Sequence, residues 1–85
     1  SPEHSPSAAY VMCQQFMKDR LRAPGTADFP YGTDRYTTSE GGGRYRVESY
    51  VDAENGFGGE VRTDYTCVVE YSGDDKWTLL KMETD

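Results

Sequence analysis

This 85-residue chain has little of what most chemistry requires. It carries one histidine, His4, close to its start, and two cysteines, Cys13 and Cys67. Neither cysteine has an imidazole partner outside the opening segment, so no nucleophile, base and orienting group can be assembled. Two cysteines so far apart, without histidines beside them, also exclude a zinc site. Basic residues are scarce: nine against fifteen acidic ones, a formal net charge of -6. Nucleic-acid binders present a basic surface, so that role is excluded, and docking on anionic lipid is disfavoured for the same reason. No segment approaches the roughly twenty apolar residues of a membrane-crossing helix. There is no internal repeat. No cofactor motif is present either: Gly56-Phe57-Gly58-Gly59 is rich in glycine, but no helix follows it and Glu54 and Glu60 flank it. A phosphate cradle needs the opposite surroundings.

What the chain does have is alternation. From Arg44 to Asp52, residues Tyr45, Val47, Ser49 and Val51 share one face, continued by Ala53, while Arg44, Arg46, Glu48, Tyr50 and Asp52 share the other. Beyond the glycine-rich turn, Val61, Thr63, Tyr65, Cys67, Val69 and Tyr71 face one way. Arg62, Asp64, Thr66, Val68 and Glu70 face the other. A period of two on both sides of a turn predicts a long, half-buried hairpin. Parity then constrains the turn. A two-residue Asn55-Gly56 loop would set Val51 opposite Glu60 and put the apolar faces on opposite sides of the sheet. The apolar faces match if the loop is longer or if Gly58 or Gly59 forms a bulge.

Ser5-Pro6-Ser7 reads as a helix start, with a capping serine and proline at the first position. Helix is expected from Ser7 to about Arg22, where Pro24-Gly25 stops it. At 100° per residue, Ala9, Tyr10, Cys13, Phe16, Met17 and Leu21 fall on one arc with Cys13 near its middle. Residues 23–31 form a turn-rich connector with Phe29 as an apolar peg. Residues 33–40 are β-prone but polar and predict an edge strand, and a last strand is expected over about 77–83. The fold class is therefore α+β: one N-terminal helix packed on an antiparallel meander of three to four strands. The domain spans 7–85 and follows a linker, 1–6, whose composition suggests a targeting or anchoring part upstream. His4 falls in that linker and reads as inert.

A domain of this size buries only about two-thirds of its chain's surface, so a covalent staple would help. Cys13 and Cys67 lie on two apolar faces that must meet. They can be two buried free thiols, which are common in cores, or a helix-to-sheet disulfide, the reading preferred here. A disulfide implies an oxidising compartment and hence export. Carboxylates Asp52, Glu54 and Asp64 could approach one another near the hairpin, but Asp52-Ala53-Glu54-Asn55-Gly56 places its glycine too early for an EF-hand loop. Solvated surface charge is the better reading, and no metal site or cofactor is assigned. Arg46, Tyr50, Arg62 and Val68 share the outer sheet face and are of the residue types that anchor interfaces. Ordinary cross-strand packing is the competing account.

A helix with a mid-face cysteine, then LRAPGTADFP, then YRVESYVDAENGFGGEVRTDYTCVVEY with the second cysteine, then a tryptophan-bearing strand, resembles a small bacterial domain. That domain occurs in predicted lipoproteins, in proteins with an N-terminal membrane or zinc-ribbon segment, and in phage-encoded proteins. The most specific match is Val51 to Gly58 followed by Arg62; the family's usual connector serine is replaced here by Gly25-Thr26. The family has no established activity, so the resemblance implies location and fold and supplies no catalytic residue. Asn55, Gly56, Phe57 and Gly58 match its turn motif and are assigned to turn geometry. The expected function is a non-enzymatic, extracytoplasmic binding or spacer domain, secreted or membrane-tethered, with a protein or cell-surface component as partner. The alternatives are a small carboxylate-dependent enzyme and an acidic inhibitor or immunity-like protein.

Overall fold

The Ser5 hydroxyl accepts a hydrogen bond from the Ala8 N–H at 3.1 Å, and Pro6 follows it, so the first helix, α1, begins at Pro6 and runs to Lys18. The computed structural model describes residues 4–84. Helix α1 stops before the expected Arg22. The N–H groups of Arg20 and Leu21 bond three residues back, to Met17 and Lys18, which tightens the chain into a turn. Leu21 then reaches the core from that turn. The connector holds one short 3-10 turn, Pro24–Thr26. Its Thr26 hydroxyl accepts from the Glu54 N–H at 2.9 Å, and Asp28 exchanges both main-chain hydrogen bonds with Asp52. The connector is thereby fastened along the far end of the hairpin.

The edge strand expected over 33–40 is only half strand. Thr33–Tyr36 forms one helical turn, α2, and β1 is Thr37–Gly41. Of the β-prone residues Tyr36, Thr37 and Thr38, the two threonines open β1 as expected; only Tyr36 falls in the turn, where its ring lies parallel to Tyr10, 6.1 Å between centroids and 12° between planes. Strands β2 (Arg44–Glu54), β3 (Glu60–Gly73) and β4 (Lys76–Thr84) complete an antiparallel sheet in the order β1-β2-β3-β4. Val51 pairs with Thr63 and Val47 with Cys67, so the apolar faces coincide as parity requires. The longer loop achieves this. It comprises the residues between Glu54 and Glu60, with Gly58 at φ +84° and the Asn55 carbonyl side chain accepting from the N–H groups of Phe57 and Gly59. In β4 the register steps from Lys81 opposite Val68 to Leu79 opposite Val69, leaving Leu80 as the extra residue of a bulge.

The architecture is α+β, with α1 on one face of the four-stranded sheet. Ala9, Tyr10, Cys13 and Met17 meet Tyr45, Val47, Val51, Tyr65, Cys67 and Val69 in one buried cluster, and Phe29 stands edge-on to Tyr65. At its centre Cys13 and Cys67, both fully buried, form a disulfide with Cα atoms 6.0 Å apart. His4 differs from the inert linker residue expected. Its Nδ1 lies 2.7 Å from the Tyr45 hydroxyl and its ring packs against Tyr71. Tyr45, Tyr71 and Trp77 make an aromatic surface there that composition alone could not reveal.

Candidate binding face

The second face of the sheet has no described element packed across it, and its residues come from the outward positions of β2, β3 and β4. Tyr50 is its fixed point. One step along the hairpin, Asp52 is opposite Arg62. The Arg62 guanidinium donates to both Asp52 carboxylate oxygens, at 2.8 and 3.0 Å, and sits 4.0 Å over the Tyr50 ring. These bonds hold the Asp52 carboxyl below its usual range, with burial opposing and the Arg62 charge adding to the effect. The Arg62 pKa moves up for the same first reason. Tyr50 also meets Tyr36 edge-on, 6.3 Å and 88°. One side of the tyrosine is therefore stacked and the ring cannot swing freely.

The other expected members of the face do not join this group. Arg46 pairs with Glu40 at 3.1 Å. Val68 is only 6% exposed, so it is packing and offers no contact surface to a partner. It lies between Arg46 and Lys81 in the register, and the long aliphatic stems of those residues are its adjacent cover. Tyr36 was missed by sequence reasoning. Its placement depends on the helical turn of α2, for which the β-prone Tyr36-Thr37-Thr38 carries no signal.

Two depressions flank Tyr50. The larger, about 590 Å³, is an open groove lined by Tyr36, Glu48, Tyr50, Asp64, Thr66 and Glu83. The smaller, about 200 Å³, is bounded by Phe29, Pro30, Tyr31, Tyr50 and the Asp28–Asp52 pair. Tyr31 is almost wholly exposed. Among the described residues Glu83 pairs with Lys81, while Glu48 and Asp64 have no ion-pair partner. Of the three carboxylates considered for chemistry, Asp52 is committed to Arg62, Asp64 lines the groove, and Glu54 lies at the root of the hairpin loop. No three of His, Cys, Asp and Glu gather as a metal-holding group among the described residues. At the hairpin tip, Phe57 is 99% exposed on a loop pinned by Asn55.

The chain matches no family model, no curated protein and no solved structure. No helix among the described residues is long and apolar enough to cross a membrane.

Proposed function

We propose that the chain is a non-enzymatic binding domain of an extracytoplasmic bacterial protein, secreted or membrane-tethered, that engages a protein or cell-surface component through the face centred on Tyr50. The observation that carries this reading is the Tyr36–Tyr50–Arg62–Asp52 arrangement between two depressions. An aromatic ring already held in place loses little conformational entropy on binding, and tyrosine beside arginine is the pairing in which interface energy concentrates. The Cys13–Cys67 disulfide is compatible with an oxidising, extracytoplasmic compartment, and the resemblance to a domain of lipoproteins and phage-encoded proteins supports the same location.

The test is Tyr50→Ala in this chain, with circular dichroism to establish that the fold is kept. Its captured surface partners are compared with those of the unaltered protein. Loss of more than about 1 kcal/mol of affinity for the partner is expected from removing such an anchor. A partner set and affinity that survive the change would move the site off this face.

A further inference from the structure

The smaller depression beside Tyr50 stands on a fixed base. Its connector side is pinned at both ends: Asp28 exchanges main-chain hydrogen bonds with Asp52 at 2.8 and 3.0 Å, and the Pro30 carbonyl accepts from the Tyr10 hydroxyl at 2.6 Å. Phe29, between them, is held edge-on to Tyr65 in the core. Apart from Asp28 and Asp52, the residues around this notch are Phe29, Pro30, Tyr31 and Tyr50. The two aspartates differ in state. The Asp52 carboxylate is bound at both oxygens by Arg62, whose guanidinium also lies over Tyr50. The Asp28 carboxylate makes no hydrogen bond or ion pair with any described residue. On the same notch Tyr31 is 98% exposed, and no described ring or cation lies against it. The pairing of carboxylate and tyrosine that holds Arg62 is thus laid out a second time, and no described residue of this chain supplies its cation.

We infer that this notch receives the guanidinium of an arginine side chain on a partner protein, paired to the Asp28 carboxylate and stacked on Tyr31. This rests on the binding-domain reading above and narrows the partner to a protein that presents an exposed arginine. A volume of about 200 Å³ is small for a whole small-molecule ligand and suits the end of one side chain. The sign of the partner follows from charge complementarity, since this chain carries a net charge of -6. Arginine fits better than lysine. Its planar fork gives a carboxylate two parallel N–H donors, stacks on an aromatic face and sheds water more readily than a compact ammonium. A quaternary ammonium would suit the aromatic walls but has no N–H to give to Asp28. Arg62 on Asp52 and Tyr50 is the same solution reached within the molecule.

The experiment titrates the intact chain with N-acetyl-arginine methylamide, with its lysine and citrulline counterparts, and with tetramethylammonium, read by amide and tyrosine-ring shifts. The arginine probe should saturate in the millimolar range, with shifts confined to residues 28–31, 50 and 52. The lysine probe should bind more weakly. The citrulline probe, of the same shape without the charge, should bind roughly tenfold more weakly. Asp28→Asn should weaken the arginine probe roughly threefold, the worth of an exposed ion pair. Tyr31→Ala should do the same, the worth of an exposed cation–π contact. Both variants should keep the melting temperature within about 3 °C, because neither side chain makes a described polar contact. The inference is overturned by no saturable shift in the tens of millimolar, by lysine or citrulline matching arginine, or by Asp28→Asn binding like wild type. Tighter binding of tetramethylammonium overturns it in favour of a quaternary ammonium ligand. Tighter arginine binding on Arg35→Ala overturns it in favour of a notch filled from within the chain. A captured partner lost on Tyr50→Ala but kept by Asp28→Asn and Tyr31→Ala removes the notch and keeps the Tyr50 face. The reverse pattern removes Tyr50 as anchor and keeps the notch.

Discussion

Reducing the Cys13–Cys67 bond should remove a large fraction of this domain's stability. The two residues are 54 apart in sequence, and a cross-link closing such a loop restricts the unfolded chain by about 4 kcal/mol in the chain-entropy account. At roughly 0.05–0.15 kcal/mol per residue, the whole domain has about 4–13 kcal/mol to lose. The decisive comparison is oxidised against reduced wild type, since Cys→Ala at two fully buried positions would add a packing loss to the effect. Urea unfolding can be followed through Trp77, which packs on Tyr45 and Tyr71. Reduction should lower the melting temperature by about 20 °C in a domain of this size. It should also steepen the dependence on urea, because a chain freed of its cross-link exposes more surface when unfolded. Coincident oxidised and reduced curves, or an unchanged slope, would refute the reasoning. Alkylation of unreduced protein that labels both thiols would refute the bond itself.

Val47→Ala and Val68→Ala should both destabilise, each by about 1–3 kcal/mol in denaturant unfolding, because both valines are buried although they face opposite ways. A Val68→Ala effect within about 0.5 kcal/mol would mean the outer face is unpacked there. Tyr65→Phe should be neutral or stabilising at neutral pH, since the Tyr65 hydroxyl is buried without a hydrogen-bond partner. Burial, reinforced by Tyr10, pushes its pKa up. A group whose pKa is higher folded than unfolded adds stability that is intact below the unfolded value and lost as pH rises through the folded one. Wild type should therefore lose stability above about pH 10 more steeply than Tyr65→Phe, and parallel pH profiles would contradict the assignment.

The hairpin was legible because burial on one face imposes a strict period of two, and every inward position from Tyr45 to Ala53 is buried. The cysteine pair was legible for a related reason: both residues sit mid-face on elements that must cover each other. Val68 shows where the pattern stops. Alternation names the face a residue points to, but cover on that face depends on neighbours from other strands, here Arg46 and Lys81. In α2, local preference favoured strand, and the contact that overrides it, Tyr36 on Tyr10, spans 26 residues of chain. His4 likewise depends on a surface built by Tyr45 and Tyr71, which lie far from it in the sequence.

The candidate site was barely legible because loop length creates it. Asp52 and Arg62 are ten apart in sequence, and what makes them partners is the register set between Glu54 and Glu60. Under a two-residue Asn55-Gly56 loop, Arg62 would stand opposite Ser49 and against the inward face. The Tyr50 ring would then lose its stacked cation. The same shift would turn Val61 and Cys67 outward, so the apolar pattern that excludes this register also fixes the binding face. Asn55 enforces the outcome locally through its four bonds across the loop: it accepts from the N–H groups of Phe57, Gly58 and Gly59 and donates its own N–H to the Gly59 C=O. Core packing and site geometry are thus two consequences of one register. Loop changes that keep the parity of β2 and β3 should be tolerated by both, whereas those that break it should destroy both together.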